Sequence, residues 1–306
     1  MGKHRHTVTL IGFGEAGGIL GSDLARREDV TVACFDLKLN DAAQCEAIQH
    51  KAREAGVMPF AELPQALAHS ELIISTVTAA SALEAVRACA VSLRPGQLFL
   101  DCNSVSPDTK RQACQLVEAT GADYVDVAIM APVPPSRLQV PLLMGGRQAA
   151  HLAVRLNELG MNAQAVTAEV GVASAIKMCR SVMIKGLEAL TLECLSAARH
   201  YGAEQAVLES LNRSFPGMGW TDGLPDYLIS RIAEHGTRRA AEMHEAARTV
   251  SEAGISARMS LAAADTQGGL VDAMHRQEIT YDASKPFDWQ TLVDALAVTA
   301  EHTGGQ

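Results

Sequence analysis

Residues 171–200, GVASAIKMCRSVMIKGLEALTLECLSAARH, contain four polar side chains at regular spacing that could take part in chemistry. Lys177, Ser181 and Lys185 are spaced four residues apart, and Glu188 follows three residues later. The segment lacks proline and is rich in strong helix formers, so it is predicted to be one long helix. At about 100° per residue the four side chains then share one face. Because apolar residues occupy most of the remaining surface, the helix is predicted to be buried, with a polar face that is paired, solvated or used in chemistry.

Lys177 is the candidate for acid–base chemistry on this face. A lysine can accept a proton near neutral pH when its pKa is lowered from about 10.4 toward 7–8. Burial and the charges of Arg180 and Lys185 would lower it. Ser181 can bond a substrate or the Lys177 amine, or return its hydroxyl to the helix carbonyl four residues earlier. Lys185 can bind a substrate anion, although an ion pair with Glu188 is the simpler interpretation.

A glycine-rich turn lies near the start of the chain. A β-prone run leads into GFGEAGG at residues 12–18, and a helical run and a second strand then end at Asp36. In such a strand–turn–helix unit, Gly12 permits the tight turn, Gly14 admits a pyrophosphate, and Gly17 lets helix and strand pack closely. The N-terminus of the helix would face the phosphates. The pattern therefore predicts a dinucleotide-binding site.

Asp36 bears on the choice of cofactor. A carboxylate after the second strand accepts hydrogen bonds from the adenosine ribose hydroxyls and repels a 2′-phosphate, which favours NAD. Lys38 follows two residues later and could meet that phosphate. NAD is therefore the expected cofactor, with NADP as the alternative.

Strand and helix patterns alternate as far as Thr167, and the chain is then almost wholly helical. Strands are predicted at residues 7–11, 30–35, 72–77, 98–101, 124–128, 142–145 and 162–166, with the first helix at 19–27. Later helices are predicted at residues 171–200, 203–213, 224–234, 237–253, 256–276 and 288–302. We therefore predict an α/β Rossmann-type dinucleotide-binding domain over residues 1–168, followed by an all-α substrate and dimerisation domain over residues 169–306.

Polar residues follow two of the predicted strands. Val77 ends one strand and Thr78 follows it, and Asn103 and Ser104 lie just beyond the end of another, after Cys102. Ligands of open α/β sheets bind beyond the carboxyl ends of the strands, so these residues are expected near the cofactor or substrate. The predicted cofactor-binding residues are Gly12, Phe13, Gly14, Glu15, Ala16, Gly17, Asp36, Val77, Thr78 and Asn103.

Composition excludes several classes of function. The chain has 306 residues, with 35 acidic and 26 basic residues and a net charge of −9, which argues against nucleic-acid and anionic-membrane partners. We find no uninterrupted apolar run of about 18 residues and no signal-peptide pattern. Seven scattered cysteines without a C-x-x-C pair indicate buried thiols, Cys102 and Cys179 among them, in a reducing, cytoplasmic setting. No metal site is expected.

The sequence resembles the β-hydroxyacid dehydrogenase and 6-phosphogluconate dehydrogenase-like superfamily. The motifs that carry the resemblance are GFGEAGG at 12–18, DCNSVSP at 101–107, APVPP at 131–135, LLMGGR at 142–147 and GVASAIKMCRS at 171–181. The C-terminal half is similar to the branch with a phosphogluconate dehydrogenase-like helical domain. The resemblance implies that Lys177 is the general acid/base and that Asn103 and Ser104 touch substrate and nicotinamide. It also implies a homodimer formed through the helical domain.

Two positions depart from the family pattern. Ser181 stands where the family commonly has asparagine, and residues 131–135, APVPP, stand where a Ser-Gly-Gly turn holds a substrate carboxylate. These departures leave the substrate open. In the second half, Arg238 or Arg239 can present a fork to a carboxylate or phosphate, or both can belong to a solvated face.

The expected function is NAD(P)-dependent hydride transfer between nicotinamide and a small anionic substrate, which is a hydroxy acid, a sugar acid or the corresponding carbonyl compound. Imine reduction on the same fold is one alternative, although such enzymes in the superfamily tend to lack the lysine found here at Lys177. A nucleotide-binding regulatory protein without turnover is the other.

Overall fold

The computed structural model describes residues 5–297. The chain divides into two compact units, and the boundary between Met178 and Cys179 lies inside the helix Val172–His200. The sequence placed the boundary near residue 168, where the last strand ends.

The first unit contains one sheet of eight strands. The strands are β1 His6–Ile11, β2 Val30–Phe35, β3 Met58–Pro59, β4 Leu72–Ser75, β5 Leu98–Asp101, β6 Asp123–Ile129, β7 Pro141–Gly145 and β8 Asn162–Thr167. Their order is β3-β2-β1-β4-β5-β6-β7-β8, and every neighbouring pair is parallel except β6 and β7. The two-residue strand β3 was not predicted, because it is too short to show a pattern.

Both faces of this sheet are covered. Leu72 and Ile74 of β4 belong to one hydrophobic cluster, whereas Ile73 between them belongs to the cluster on the opposite face. A strand buried on both faces has a continuous apolar sequence rather than an alternating one, which is why these strands could be recognised as parallel-sheet strands.

Along the chain, the helices of the first unit alternate with its strands. They are α1 Glu15–Ala25, α2 Cys45–Glu54, α3 Leu63–Leu67, α4 Ala82–Ala90, α5 Pro107–Glu118, α6 Val133–Ser136 and α7 Ala149–Glu158. The predicted start of α1 at residue 19 is wrong, because glycines of low helix propensity at 17 and 18 are nevertheless helical and buried. The stretch APVPP, which stands where the family has a Ser-Gly-Gly turn, runs into the short helix α6, whose prolines occupy its first turn, where they are tolerated.

The second unit is helical. Its helices are α8 Val172–His200, which begins in the first unit, then α9 Glu204–Ser214, α10 Leu224–Glu252, α11 Arg258–Arg276 and α12 Trp289–Ala297. The predicted fold class, a Rossmann-type domain followed by an all-α domain, is confirmed. The last predicted helix extends to residue 302, and its part beyond 297 lies outside the described residues. Over residues 5–297 each helix is too short or too polar to cross a bilayer.

The prediction of two helices at 224–234 and 237–253 is wrong, because α10 continues through Gly236. A Cβ at this position would lie 2.5 Å from the Gln267 carbonyl oxygen and 2.6 Å from Cγ2 of Val271. Gly236 therefore allows α10 and α11 to approach closely rather than breaking the helix.

We expect Gly236→Ala to lower the free energy of unfolding by about 1–3 kcal/mol, since the added methyl meets backbone that cannot move away easily. Gly269→Ala in α11 is the matched control: its Cβ would meet no atom within 4 Å, and alanine should stabilise the helix by about 0.5–1 kcal/mol. Urea unfolding of both variants measures the difference. Equal midpoints for the two variants would contradict the close approach.

Candidate functional site

The glycine-rich turn between β1 and α1 is held by close backbone contacts. Gly12 has a φ of +89°, and its Cβ would lie 2.8 Å from the Thr76 carbonyl oxygen. A Cβ on Gly17 would collide with the Gly12 carbonyl oxygen and approach the Thr76 hydroxyl oxygen to 2.6 Å. The Thr76 hydroxyl donates a hydrogen bond to the Gly12 carbonyl at 2.9 Å. Sequence reasoning missed Thr76, whose only signal was its position directly after β4.

Gly14 differs from these two glycines. A Cβ at Gly14 would meet no atom of the chain within 4 Å, and no side chain caps the N-terminus of α1, where Gly14 is the N-cap residue. The first amides of a helix have no carbonyl partner within the helix and attract anions. The open surface at Gly14 and the uncapped helix end therefore fit the pyrophosphate of a dinucleotide. Glu15 and Ala16 begin this helix.

Asp36 is oriented by two backbone amides. Its Oδ2 accepts a hydrogen bond from the Phe13 N–H at 2.8 Å, and its Oδ1 accepts one from the Lys38 N–H at 3.0 Å. Each carboxylate oxygen has a second lone pair, so both can still accept ribose hydroxyls. The carboxylate that was predicted to favour NAD thus lies in contact with the glycine-rich turn.

Lys51 of α2 also reaches this turn. Its Nζ donates hydrogen bonds to the carbonyl oxygens of Phe13 at 3.0 Å and Gly14 at 2.6 Å. Partial burial lowers the pKa of Lys51, while Asp36 acts in the opposite direction. The lysine adds a positive charge beside the predicted phosphate site. It belongs to no motif, so sequence reasoning did not identify it.

Asn103 links the ends of two neighbouring strands. Its side-chain oxygen accepts a hydrogen bond from the Val77 N–H at 2.7 Å, and its side-chain nitrogen donates one to Ser75 Oγ at 2.9 Å. The side chain is buried. Its observed contacts are therefore with the end of β4 and the loop after it. Thr78 is more exposed, and its hydroxyl bonds that of Ser81 at 3.0 Å.

Lys177 and Ser104 meet in the first unit. The Lys177 Nζ donates a hydrogen bond to Ser104 Oγ at 2.6 Å, and both side chains are only partly buried. The two residues are 73 positions apart in the chain. An ammonium group and a hydroxyl in contact can together bind and protonate a substrate oxygen. The structure thus joins two residues that were proposed separately for catalysis and for substrate binding.

Cys102 and Cys179 differ in environment. Cys102 is buried, and burial raises the pKa of its thiol to about 12, so it is no nucleophile at neutral pH. Cys179 and Cys194 are exposed, so the prediction of buried thiols is wrong for both. They lie on the solvent side of α8, a side that residue type alone does not identify. All seven cysteines lie in the described part of the chain as free thiols.

In the second unit, Lys185 is buried and paired. Its Nζ donates to Ser181 Oγ at 3.1 Å and lies 2.8 Å from Oε2 of Glu242. Burial lowers the pKa of Lys185, and the Glu242 carboxylate opposes that shift. The predicted pair of Lys185 with Glu188 is wrong, because Glu188 instead receives a two-pronged contact from Arg239 of α10. A guanidinium fork binds a carboxylate more strongly than a lysine on the same helix.

The two candidate arginines have different environments. Arg239 is buried, so a solvated face is wrong for this residue, and its guanidinium binds the internal carboxylate of Glu188. Arg238 is exposed and pairs with Glu242 at 2.6 Å, as expected for a solvated face. Within residues 5–297 no group of three His, Cys, Asp or Glu side chains is arranged to hold a metal ion.

We expect Gly14→Ala to weaken NADH binding at least tenfold while changing the free energy of unfolding by no more than about 1 kcal/mol, since the added methyl enters only ligand space. Gly17→Ala is the matched variant and should lose both stability and binding, because its methyl collides with the turn itself. Fluorescence titration and thermal unfolding measure the two effects. Unchanged NADH affinity in Gly14→Ala would contradict this placement of the pyrophosphate.

Comparison with known proteins addresses both units. Residues 7–167 match the NAD binding domain of 6-phosphogluconate dehydrogenase, and residues 198–270 match a domain of unknown function, DUF1932. The chain is similar to a conserved hypothetical protein from Sinorhizobium meliloti 1021, with 39% identity, 96% of each chain covered and a TM-score of 0.78.

Two further solved structures are similar. The conserved protein MTH1747 of unknown function, described as structurally similar to 3-hydroxyacid dehydrogenases, is 32% identical over 86% of this chain and 97% of its own, with a TM-score of 0.69. Mycobacterium tuberculosis 3-hydroxyisobutyrate dehydrogenase with L-serine has the same fold at 17% identity, covering 95% of this chain and 99% of its own, with a TM-score of 0.71.

These matches confirm the resemblance recognised in the sequence motifs and agree with the geometry of the glycine-rich turn. The first unit is an NAD(P)-binding domain with a hydroxyacid dehydrogenase fold. The chain belongs to the family defined by the NAD binding domain of 6-phosphogluconate dehydrogenase.

Proposed function

We propose that the protein is an NAD(P)-dependent oxidoreductase acting on a small hydroxy acid, a sugar acid or the corresponding carbonyl compound. The observation that carries the proposal is the 2.6 Å hydrogen bond between Lys177 Nζ and Ser104 Oγ. The similarity of MTH1747 to 3-hydroxyacid dehydrogenases and the fold shared with 3-hydroxyisobutyrate dehydrogenase support the substrate class.

The chemistry divides between cofactor and chain. Bound nicotinamide supplies or accepts the hydride. Lys177 handles the proton: the neutral amine accepts it from the substrate hydroxyl during oxidation, and the ammonium returns it to the carbonyl oxygen during reduction. Ser104 accepts a hydrogen bond from Lys177, which leaves its own hydrogen to be donated to the same substrate oxygen. The pair would thereby hold that oxygen in place.

Ser181 and Lys185 are also proposed to bind the substrate, and the existing partners of Lys185 oppose that binding. Lys185 is already bonded to Ser181 and to Glu242. A substrate anion would have to compete with the Glu242 carboxylate for the ammonium. Asn103 is proposed to act on the cofactor and substrate through the loop it holds, since its side chain bonds Val77 and Ser75.

The proposed assembly is a homodimer formed through the helical unit. Exposed apolar side chains on α8 support it, among them Met183 at 73% and Leu190 at 52% exposure in the single chain. A second copy covering them would remove this apolar surface from water.

The net charge of −9 supports a small-molecule partner rather than nucleic acid or membrane, and the seven free cysteines support a cytoplasmic location.

We expect Lys177→Met to lower kcat/KM by about 10²–10⁴-fold while leaving the Kd for NADH unchanged, because only the proton-transfer group is removed. Lys285→Met removes an exposed lysine of the second unit and serves as the control.

The substrate is sought by following NADH absorbance against panels of hydroxy acids, carbonyl acids and imines. Full turnover in Lys177→Met would exclude the role. Turnover confined to imines would favour imine reduction, and NADH binding without any turnover would favour the regulatory alternative.

We expect Asp36→Asn to lower the affinity for NADH relative to NADPH about tenfold, since a charge that binds ribose hydroxyls and repels a 2′-phosphate is lost. The ratio of the two Kd values is the measurement, because damage to the turn would weaken both cofactors equally. Lys38→Met is the matched variant and should weaken NADPH alone. An equal loss for both cofactors in Asp36→Asn would contradict its role in selectivity.

A further inference from the structure

Three charged side chains are completely enclosed in the first unit. Lys110 of α5 lies between Asp101 of β5 and Asp126 of β6, and each is at most 1% exposed. The Lys110 Nζ lies 3.0 Å from Oδ1 of Asp101 and 3.4 Å from Oδ1 of Asp126, and it donates to the Asp101 carbonyl at 2.6 Å. Burying an ion costs several kcal/mol unless it is paired and hydrogen-bonded. The other hydrogen bonds of Asp101 and Asp126 therefore show which backbone segments this network positions.

Asp101 holds the turn that carries Ser104. Its Oδ1 accepts a hydrogen bond from the Asn103 N–H at 3.0 Å, and its Oδ2 accepts one from the Tyr124 hydroxyl at 2.7 Å. Burial, with the nearby carboxylates, raises the pKa of Tyr124 well above its usual value, so the phenol remains a donor. The backbone directly before Ser104 is thus bonded to a buried carboxylate that has partners of its own.

Asp126 holds the start of α8. Its Oδ2 accepts hydrogen bonds from the N–H groups of Gly171 at 3.0 Å and Ser174 at 3.1 Å, and its Oδ1 accepts one from Ser174 Oγ at 2.6 Å. A carboxylate bonded to the first amides of a helix satisfies them and complements the helix dipole. Lys177 follows Ser174 by three residues, or about one turn of the helix.

We propose that Lys110, Asp101 and Asp126 form a positioning network that joins the Ser104 turn to the first turns of α8 and so places the Lys177 ammonium on the Ser104 hydroxyl. Asp101 binds the backbone next to Ser104, and Asp126 binds the start of α8, one turn before Lys177. Lys110 lies between the two carboxylates and joins them. The inference rests on the proposed function, since the bond it sets is the proposed catalytic one. None of the three residues touches the reacting atoms.

The two carboxylates stabilise the charged form of Lys110. Burial alone would lower the pKa of Lys110, but the charges of Asp101 and Asp126 outweigh it and hold the pKa above its ordinary value. Lys110 is therefore an ammonium throughout the neutral range. One ammonium and two carboxylates carry one net negative charge, which the positive N-terminal end of α8 opposes.

A positioning role and a purely stabilising role predict different results for two matched serine variants. Ser174→Ala removes the hydroxyl bonded to Asp126, and Ser70→Ala removes another buried hydroxyl of the first unit, bonded to the Ala66 carbonyl. Both should lower the free energy of unfolding by about 1–2 kcal/mol. Only Ser174→Ala should lower kcat, by at least fivefold, with the Kd for NADH within twofold of the wild type.

Trace acetylation of Lys177, read by peptide mass spectrometry, tests the same inference without turnover. Lys177 held on Ser104 should react more slowly than a released lysine, so Ser174→Ala and Tyr124→Phe should each accelerate labelling at least twofold, and Ser70→Ala should not. Tyr124→Phe removes only the hydroxyl on Asp101 and keeps the ring.

The outcomes separate this inference from the proposed function. Absence of turnover on every substrate, with accelerated labelling in Ser174→Ala and Tyr124→Phe, would overturn the proposed function and support the network. Turnover in the wild type, with kcat and labelling unchanged in both variants, would support the function and overturn the network. A parallel decrease of kcat in Ser174→Ala and Ser70→Ala would reduce the network to ordinary stabilisation and overturn the inference as well.

Discussion

Polar groups buried at the carboxyl edge of the sheet must find partners within the protein, and this constraint governs the arrangement of the loops there. Asp101, Asn103 and Asp126 are each at most 3% exposed, and the structure gives each a bonded partner. A buried polar group without a partner costs about 1–3 kcal/mol. The loops after β4 and β5 and the first turn of α8 must therefore adopt the positions that satisfy these groups. The Lys177–Ser104 hydrogen bond is formed where those loops meet.

In the second unit, too, buried charged groups are paired with one another. Glu188 binds Arg239, Lys185 binds Glu242, and Gln267 of α11 donates to both the Lys185 carbonyl and the Glu188 carboxylate at 3.1 Å. The pairing explains how α8 keeps charged residues on a buried face. Each unit thus contains its own charge network, and α8 contributes residues to both.

Much of the fold and part of the candidate site could be predicted. The continuous apolar strands identified a parallel sheet, and the glycine-rich turn with Asp36 identified the dinucleotide site, because both depend on local backbone geometry. Lys51 and Thr76 could not be found in this way, since each acts through bonds to turn residues more than 35 positions away. Lys110 was missed for a similar reason: nothing in its neighbours indicates that it is enclosed by two carboxylates.

The sequence by itself determined the two-part organisation, the nucleotide turn and the polar face of α8, because periodicity and residue type are local properties. Only the tertiary structure decided the partners on that face, so that Glu188 binds Arg239 although Lys185 lies nearer in the chain. It also decided that α10 continues through Gly236 and that Lys177 meets Ser104. The physical reason is common to these cases. Helical spacing determines which side chains share a face, whereas packing between distant elements determines what that face meets.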